Sequence, residues 1–130
     1  MFKVVIDTNV FISAIISASG NPAKIMDLIA DGQIILFYSS DILDEYKRVL
    51  AYKKFNFSIE IQELAIEDIE SVGDLIEPVA SKIPLPDESD RVFYDTANAA
   101  NAYLITGNLK HYPEESHILT PAQFVEMLEK

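Results

Sequence analysis

Apolar residues fall along the chain in short blocks separated by polar or chain-breaking residues, and the blocks are of two kinds. Phe2–Ile6 is a β-rich run that closes on Asp7. Val10–Ile16 is apolar enough for a strand or a buried helix start, and Asn9 as an N-cap favours the helix. Gly20-Asn21-Pro22 interrupts the pattern, and Ala23–Ala30 then carries Ile25, Met26, Leu28 and Ile29 up to Asp31-Gly32, which predicts a second helix. Ile34–Tyr38 is continuously apolar, as in a strand covered on both faces of a parallel sheet. Ser40 then caps a helix to about Tyr52 with a stripe of Ile42, Leu43, Tyr46, Val49 and Leu50. Ser58–Val72 repeats the arrangement and stops at Gly73-Asp74, before the short run Leu75–Val79 and the polar loop Ser81–Glu88. Ser89 caps a helix to about Ala102, followed by the strand Tyr103–Thr106, the turn Gly107-Asn108 and the short strand His117–Leu119. Thr120, Pro121 and Gln123 form a capping box and a first-turn proline for a final helix. Strands alternating with helices predict an α/β fold around a parallel sheet.

A length of 130 residues predicts one domain over residues 1–130, and no internal repeat or linker divides it. With 49% apolar and 24% charged residues, the composition excludes wholesale disorder. The absence of Cys excludes disulfides, thiolate metal sites and cysteine nucleophiles, which leaves carboxylates, two His and hydroxyl groups for chemistry. The longest apolar runs fall far short of the roughly 18 residues of a membrane span, and the N-terminus lacks a basic region before an apolar core. The expected compartment is the cytoplasm, with no membrane partner. A net charge of −11 argues against nonspecific coating of nucleic acid, yet acids gathered in one cleft bind divalent metal.

In open parallel sheets the ligand crevice lies beyond the carboxyl ends of the strands, where Asp7 follows Phe2–Ile6. A carboxylate there is costly to desolvate unless it meets a cation or donors, although capping of the next helix explains it equally well. Glu45 stands beside the apolar stripe of its helix, where most acids are merely solvated. Asp90 falls in a first helical turn, which an acid favours without any function. Asp95 lies about 140° further round the helix in an apolar stretch, a weaker candidate. Carboxylates from separate elements meeting at one sheet edge repel unless a hard cation such as Mg²⁺ or Mn²⁺ joins them, a constellation that serves phosphodiester hydrolysis.

The order Val-Val-Ile-Asp7-Thr-Asn-Val, Ser-Asp-Ile-Leu-Asp-Glu45-Tyr, Glu-Ser-Asp90-Arg-Val-Phe-Tyr-Asp-Thr-Ala and Tyr-Leu-Ile-Thr106-Gly-Asn108 resembles a PIN domain. The likeness runs from Phe2 to the final helix and is greatest to the stand-alone prokaryotic members paired as toxins with antitoxins. It implies a three-layer α/β/α fold with a central parallel sheet of four or five strands. It also implies a Mg²⁺- or Mn²⁺-dependent endoribonuclease, a possible antitoxin partner and a possible homodimer. By that resemblance Asp7, Glu45 and Asp90 are the catalytic, metal-holding acids, with Asn108 as a further metal candidate; Asp95 remains one on its helix position alone. The fourth acidic position departs from the family pattern, because Asn108 stands where many members have Asp, with His111 three residues on. Asn108 can still ligate through its amide oxygen, and His111 can ligate or contact phosphate.

Candidate substrate contacts are Thr8, Asn9, Ser13 and Thr106 near the crevice, together with His111, Lys47 and Arg48. Lys47, Arg48, Lys53 and Lys54 form the one basic cluster and are interleaved with Tyr46, Tyr52, Phe55 and Phe57, a pattern suited to single-stranded backbone and bases. The competing explanation is a solvated helix end. Two other functions fit less well. A phosphoryl-accepting signalling domain wants an accepting Asp after the central strand, where Ser39-Ser40 stands. An RNA-binding module that has lost its chemistry is motivated by Asn108.

Overall fold

The computed structural model describes residues 1–130. Five strands, β1 (Lys3–Ile6), β2 (Ile35–Tyr38), β3 (Asp74–Leu75), β4 (Tyr103–Ile105) and β5 (Ile118–Leu119), form one parallel sheet in the order β3-β2-β1-β4-β5. Six helices connect and cover them: α1 (Thr8–Ile16), α2 (Asn21–Ala30), α3 (Ser40–Leu50), α4 (Ile59–Val72), α5 (Arg91–Ala100) and α6 (Pro121–Leu128). This is the expected three-layer α/β/α arrangement.

Val4, Val5 and Ile6 of the central strand are almost wholly buried, as a strand covered on both faces requires. The two layers separate by alternation along the chain. Lys3 donates to the Ala100 carbonyl at the end of α5 (3.4 Å), while the neighbouring Phe2 packs edge-on against Phe124 of α6. α5 lies across β1, β2 and β4, α6 packs with α2, and α3 touches both α1 and α5. At that last junction the rings of Phe11 and Tyr46 stack 4.4 Å apart, and Phe93 follows at 6.4 Å.

The element boundaries correct several expectations. Helix α1 begins at Thr8, so Asn9 is inside it and Asp7 takes the N-cap position. Helix α2 starts at Asn21 and accommodates Pro22 in its first turn. Ser39, not Ser40, caps α3 by accepting from the Ile42 N–H (3.2 Å), and the helix ends at Leu50. Asp87, not Ser89, caps a 3₁₀ turn over Glu88–Asp90, and α5 proper starts at Arg91. The capping box of Thr120 and Gln123 forms as expected, with bonds of 2.9 and 3.1 Å.

The chain leaves β1 for β2 on one side and later inserts β4 on the other. Such a reversal opens a crevice at the carboxyl ends of the two strands. Ile6 and Ile105 are register partners there, so Asp7 and Thr106 come side by side, and the Asp7 N–H is held by the Ile105 carbonyl (2.9 Å).

Candidate active site

Asp7 occupies the N-cap position of α1 yet makes no capping hydrogen bond. Its carboxylate turns inward, where it accepts from the Thr106 hydroxyl (2.7 Å) and the Tyr112 hydroxyl (3.3 Å). Helix capping therefore does not account for this residue. Burial holds its pKa above the usual carboxylate value, against the pull of the Thr106 bond.

Glu45 reaches the same crevice from α3, where it accepts from the Thr8 hydroxyl and lies 3.5 Å from Arg48 Nη2. Desolvation raises its pKa, and the negative charge of Asp7 adds to the effect. Asp90 enters from the 3₁₀ turn before α5. Its Oδ2 is fully buried with no hydrogen-bond partner, and His111 Nδ1 stands 3.1 Å away without completing one. Burial first, then the Asp7 charge, lift its pKa from 3.8 to about 6.

These three acids line one cleft of about 240 Å³ together with Thr8, Asn9, Arg48, Asp87, Asn108 and His111. A larger concavity of about 680 Å³ lies elsewhere, against α5, β5 and α6, and contains no carboxylate. Size and chemistry point to different places, and the chemistry decides. Three acids whose pKa values burial lifts, with the Asp7 charge adding to the other two, are carboxylates short of a positive partner.

Asn108 and His111 form the fourth corner. The Asn108 amide nitrogen lies 2.8 Å from His111 Nε2, while the other ring nitrogen, Nδ1, faces Asp90. The Asn108 backbone is not left-handed, with φ −137°, so a strained turn does not explain the asparagine. Its N–H donates to Thr106 Oγ1 (3.1 Å), which links it to Asp7 through one hydroxyl.

The other expected residues divide. Thr106 is wholly buried and acts by holding Asp7, while Thr8 holds Glu45. Asp95 is outside the cleft, because its buried carboxylate accepts from the Ser81 N–H (2.8 Å) and pins the loop before α5. Ser13 is exposed a turn and a half along α1 and does not line the cleft. Lys47 faces a separate groove between α3 and α4, whereas Arg48 is in the cleft.

Two participants escaped the sequence reading. Asp87 at the rim accepts from the N–H and hydroxyl of Ser89 (both 2.9 Å), bonds that lower its pKa. The Asp-x-Ser spacing is a readable signal for this turn. Tyr112, which contacts Asp7 across 105 positions, carries no local signal.

As the side chains stand, no three Asp, Glu or His groups converge at metal-holding distances. Glu45 is drawn towards Thr8 and Arg48, and Asp90 faces His111. The donor set nevertheless fits a hard cation, since a buried carboxylate oxygen without a donor stands among further carboxylates.

Comparison with known proteins agrees with this architecture. A PIN domain family model matches residues 3–110. An uncharacterized protein of Methanocaldococcus jannaschii is 36% identical, over 98% of this chain and 92% of that protein. Among solved structures, VapBC2 from Rickettsia felis bound to a DNA fragment from its promoter superposes with a TM-score of 0.60 at 22% identity. That superposition spans 84% of this chain and 90% of the matched one. The extent of the family match, together with the relative at 36% identity, means that the chain belongs to the PIN domain family.

Proposed function

We propose that this protein is a divalent-metal-dependent endoribonuclease that hydrolyses RNA phosphodiester bonds, and that it is the toxin of a type II toxin–antitoxin pair. The observation that carries the reading is the cleft that gathers Asp7, Glu45 and Asp90, where burial lifts all three above ordinary carboxylate pKa values and the Asp7 charge adds to the shift of the other two. Asp7, Glu45 and Asp90 would hold Mg²⁺ or Mn²⁺, with the Asn108 amide oxygen as a further donor after rotation away from His111. A bound metal supplies Lewis-acid polarisation of a phosphoryl oxygen and a lower pKa for a water molecule.

The protein's own groups set up the remainder. Thr106 and Tyr112 fix Asp7, and Thr8 fixes Glu45, so two carboxylates are oriented before substrate arrives. Arg48 and Lys54 at the cleft edge supply positive charge for a phosphate backbone. The VapBC2 complex supports an antitoxin partner for this chain, and a small DNA-binding protein encoded in the adjoining reading frame is the expected one.

Purified protein with Mn²⁺ and an unstructured RNA provides the test. Asp7→Asn or Asp90→Asn is expected to reduce cleavage 10- to 100-fold or more while the melting curve stays cooperative. Cleavage at the wild-type rate by Asp7→Asn overturns the assignment. The amide at Asn108, one negative charge fewer than an acid, favours a second reading as an RNA binder with weak cleavage. RNA binding with little or no metal-dependent cleavage distinguishes it.

A further inference from the structure

Next to the acidic cleft the chain builds a surface of different chemistry. After α3 it runs through Tyr52, a 3₁₀ turn over Lys53–Phe55, Asn56 and Phe57. Asn56 adopts the left-handed conformation (φ 53°), one that asparagine tolerates, and this reverses the backbone. Phe57 is thereby brought back against Phe55, and Gln62 Nε2 fixes the reversal by donating to the Phe57 carbonyl (3.0 Å). The rings of Tyr52 and Phe55 lie within 5° of parallel with centroids 6.5 Å apart. Those of Phe55 and Phe57 lie within 16° at 5.6 Å. Three rings from the six consecutive positions Tyr52 to Phe57 thus share nearly one orientation.

Cations border them. The Arg48 guanidinium stands 6.0 Å from the Tyr52 ring centre and donates to its hydroxyl (2.6 Å), while Lys54 Nζ stands 5.1 Å from the centre of Phe55. Arg48, Tyr52, Lys54 and Phe55 line the same cleft as the acids.

Packing explains only part of this arrangement. Phe55 and Phe57 lean against the core, but Tyr52 is left 40% exposed at the cleft. Four of the ten Lys and Arg residues fall within positions 47–54 of a chain with net charge −11. An exposed aromatic face bordered by cations is the usual means of holding unpaired nucleotides, since every base has a π-face and every linkage a phosphate. A base within a duplex has both faces covered by its neighbours and has none to offer.

We propose that Tyr52 and Phe55, bordered by Arg48 and Lys54, form a stacking platform that receives an unpaired base of single-stranded RNA beside the acidic cleft. The platform excludes duplex RNA from productive binding. The choice of RNA as ligand rests on the nuclease reading; the platform itself rests on the ring geometry.

Binding, not cleavage, is the primary readout. The probe is an unstructured RNA of about a dozen nucleotides carrying 2-aminopurine and an end label, titrated with full-length protein in EDTA at low salt. The same strand annealed to its complement serves as the duplex arm. Wild type is expected to bind the single strand more tightly than the duplex and to quench the 2-aminopurine. Tyr52→Ala is expected to weaken that binding on the order of 10-fold and abolish quenching, while Tyr52→Trp retains both. Because Tyr52 is exposed, the Ala variant should melt like wild type, which separates lost stacking from lost fold. Equal affinity in Tyr52→Ala, equal affinity for duplex, or no RNA binding by wild type overturns the platform. Tyr52-dependent binding without any metal-dependent cleavage overturns the nuclease reading and leaves the platform standing.

Discussion

Thr106 illustrates how much of the cleft is built by residues that a substrate never meets. Its hydroxyl donates to Asp7 and accepts from the Asn108 N–H, so one buried group sets both the first acid and the fourth corner. Asp90 has no such support, and that difference is measurable. With its pKa raised from 3.8 to about 6, its proton is held more tightly in the folded chain than in the unfolded one. Stability from this group is therefore present at low pH and is lost as pH rises from about 4 to about 6. In EDTA, Asp90→Asn should accordingly be more stable than wild type at pH 8, by on the order of 1–2 kcal/mol after allowance for solvent screening. The two should converge near pH 4. Urea melts across that range check the expectation, and a less stable variant at pH 8 contradicts it. Asp7 and Asp90 were legible because each is anchored to a recognisable local pattern, a strand end and a helix start, whereas Glu45, in the middle of α3, stood out only by the resemblance of the surrounding order. Asp95 misled because burial of an acid reads the same whether it meets a metal or, as here, the Ser81 N–H. Tyr112 was invisible because only the folded chain brings it to Asp7.

Among the elements, caps and breaks were easier to detect than to place. Ser39 and Ser40 are both competent caps, as are Asp87 and Ser89, and propensity does not choose between neighbours. The choice falls to whichever oxygen the tertiary structure leaves facing a free N–H, here those of Ser39 and Asp87. Gly73 shows a related ambiguity. The sequence marks it as the end of α4, which is correct, but its backbone is ordinary (φ −91°, ψ 157°) and does not require glycine. What requires glycine is proximity, because a Cβ there would stand 2.7 Å from Tyr38 Cδ1 and 2.8 Å from the Ile69 carbonyl. Gly73→Ala should therefore destabilise the fold by about 1–3 kcal/mol, as overpacking does, measured by urea denaturation. An unchanged midpoint would mean that α4 and β2 separate more freely than their contact suggests.

For the whole molecule, an excess of acid coexists with a cleft in which acids are further concentrated. A cation that binds only the folded chain adds stability by mass action, about 2.7 kcal/mol at 100 times its dissociation constant. In a chain of this size that raises the melting temperature by several degrees. Mn²⁺ should produce this shift in wild type and not in the variant combining Asp7→Asn, Glu45→Gln and Asp90→Asn. Equal shifts in the two proteins, read by differential scanning fluorimetry, place the cation elsewhere. The topology has a further consequence in time. Thr106 meets Asp7 across 99 positions and Tyr112 across 105, and β4 joins β1 only after β2 and β3 have been made. A ribosome producing this chain thus exposes its first acid about a hundred residues before the groups that orient it. Stalled nascent chains, or fragments clipped before Tyr103, carry three carboxylates with nothing to hold the first in place. Whatever the cleft holds, its first acid is oriented only after the chain has passed Tyr112.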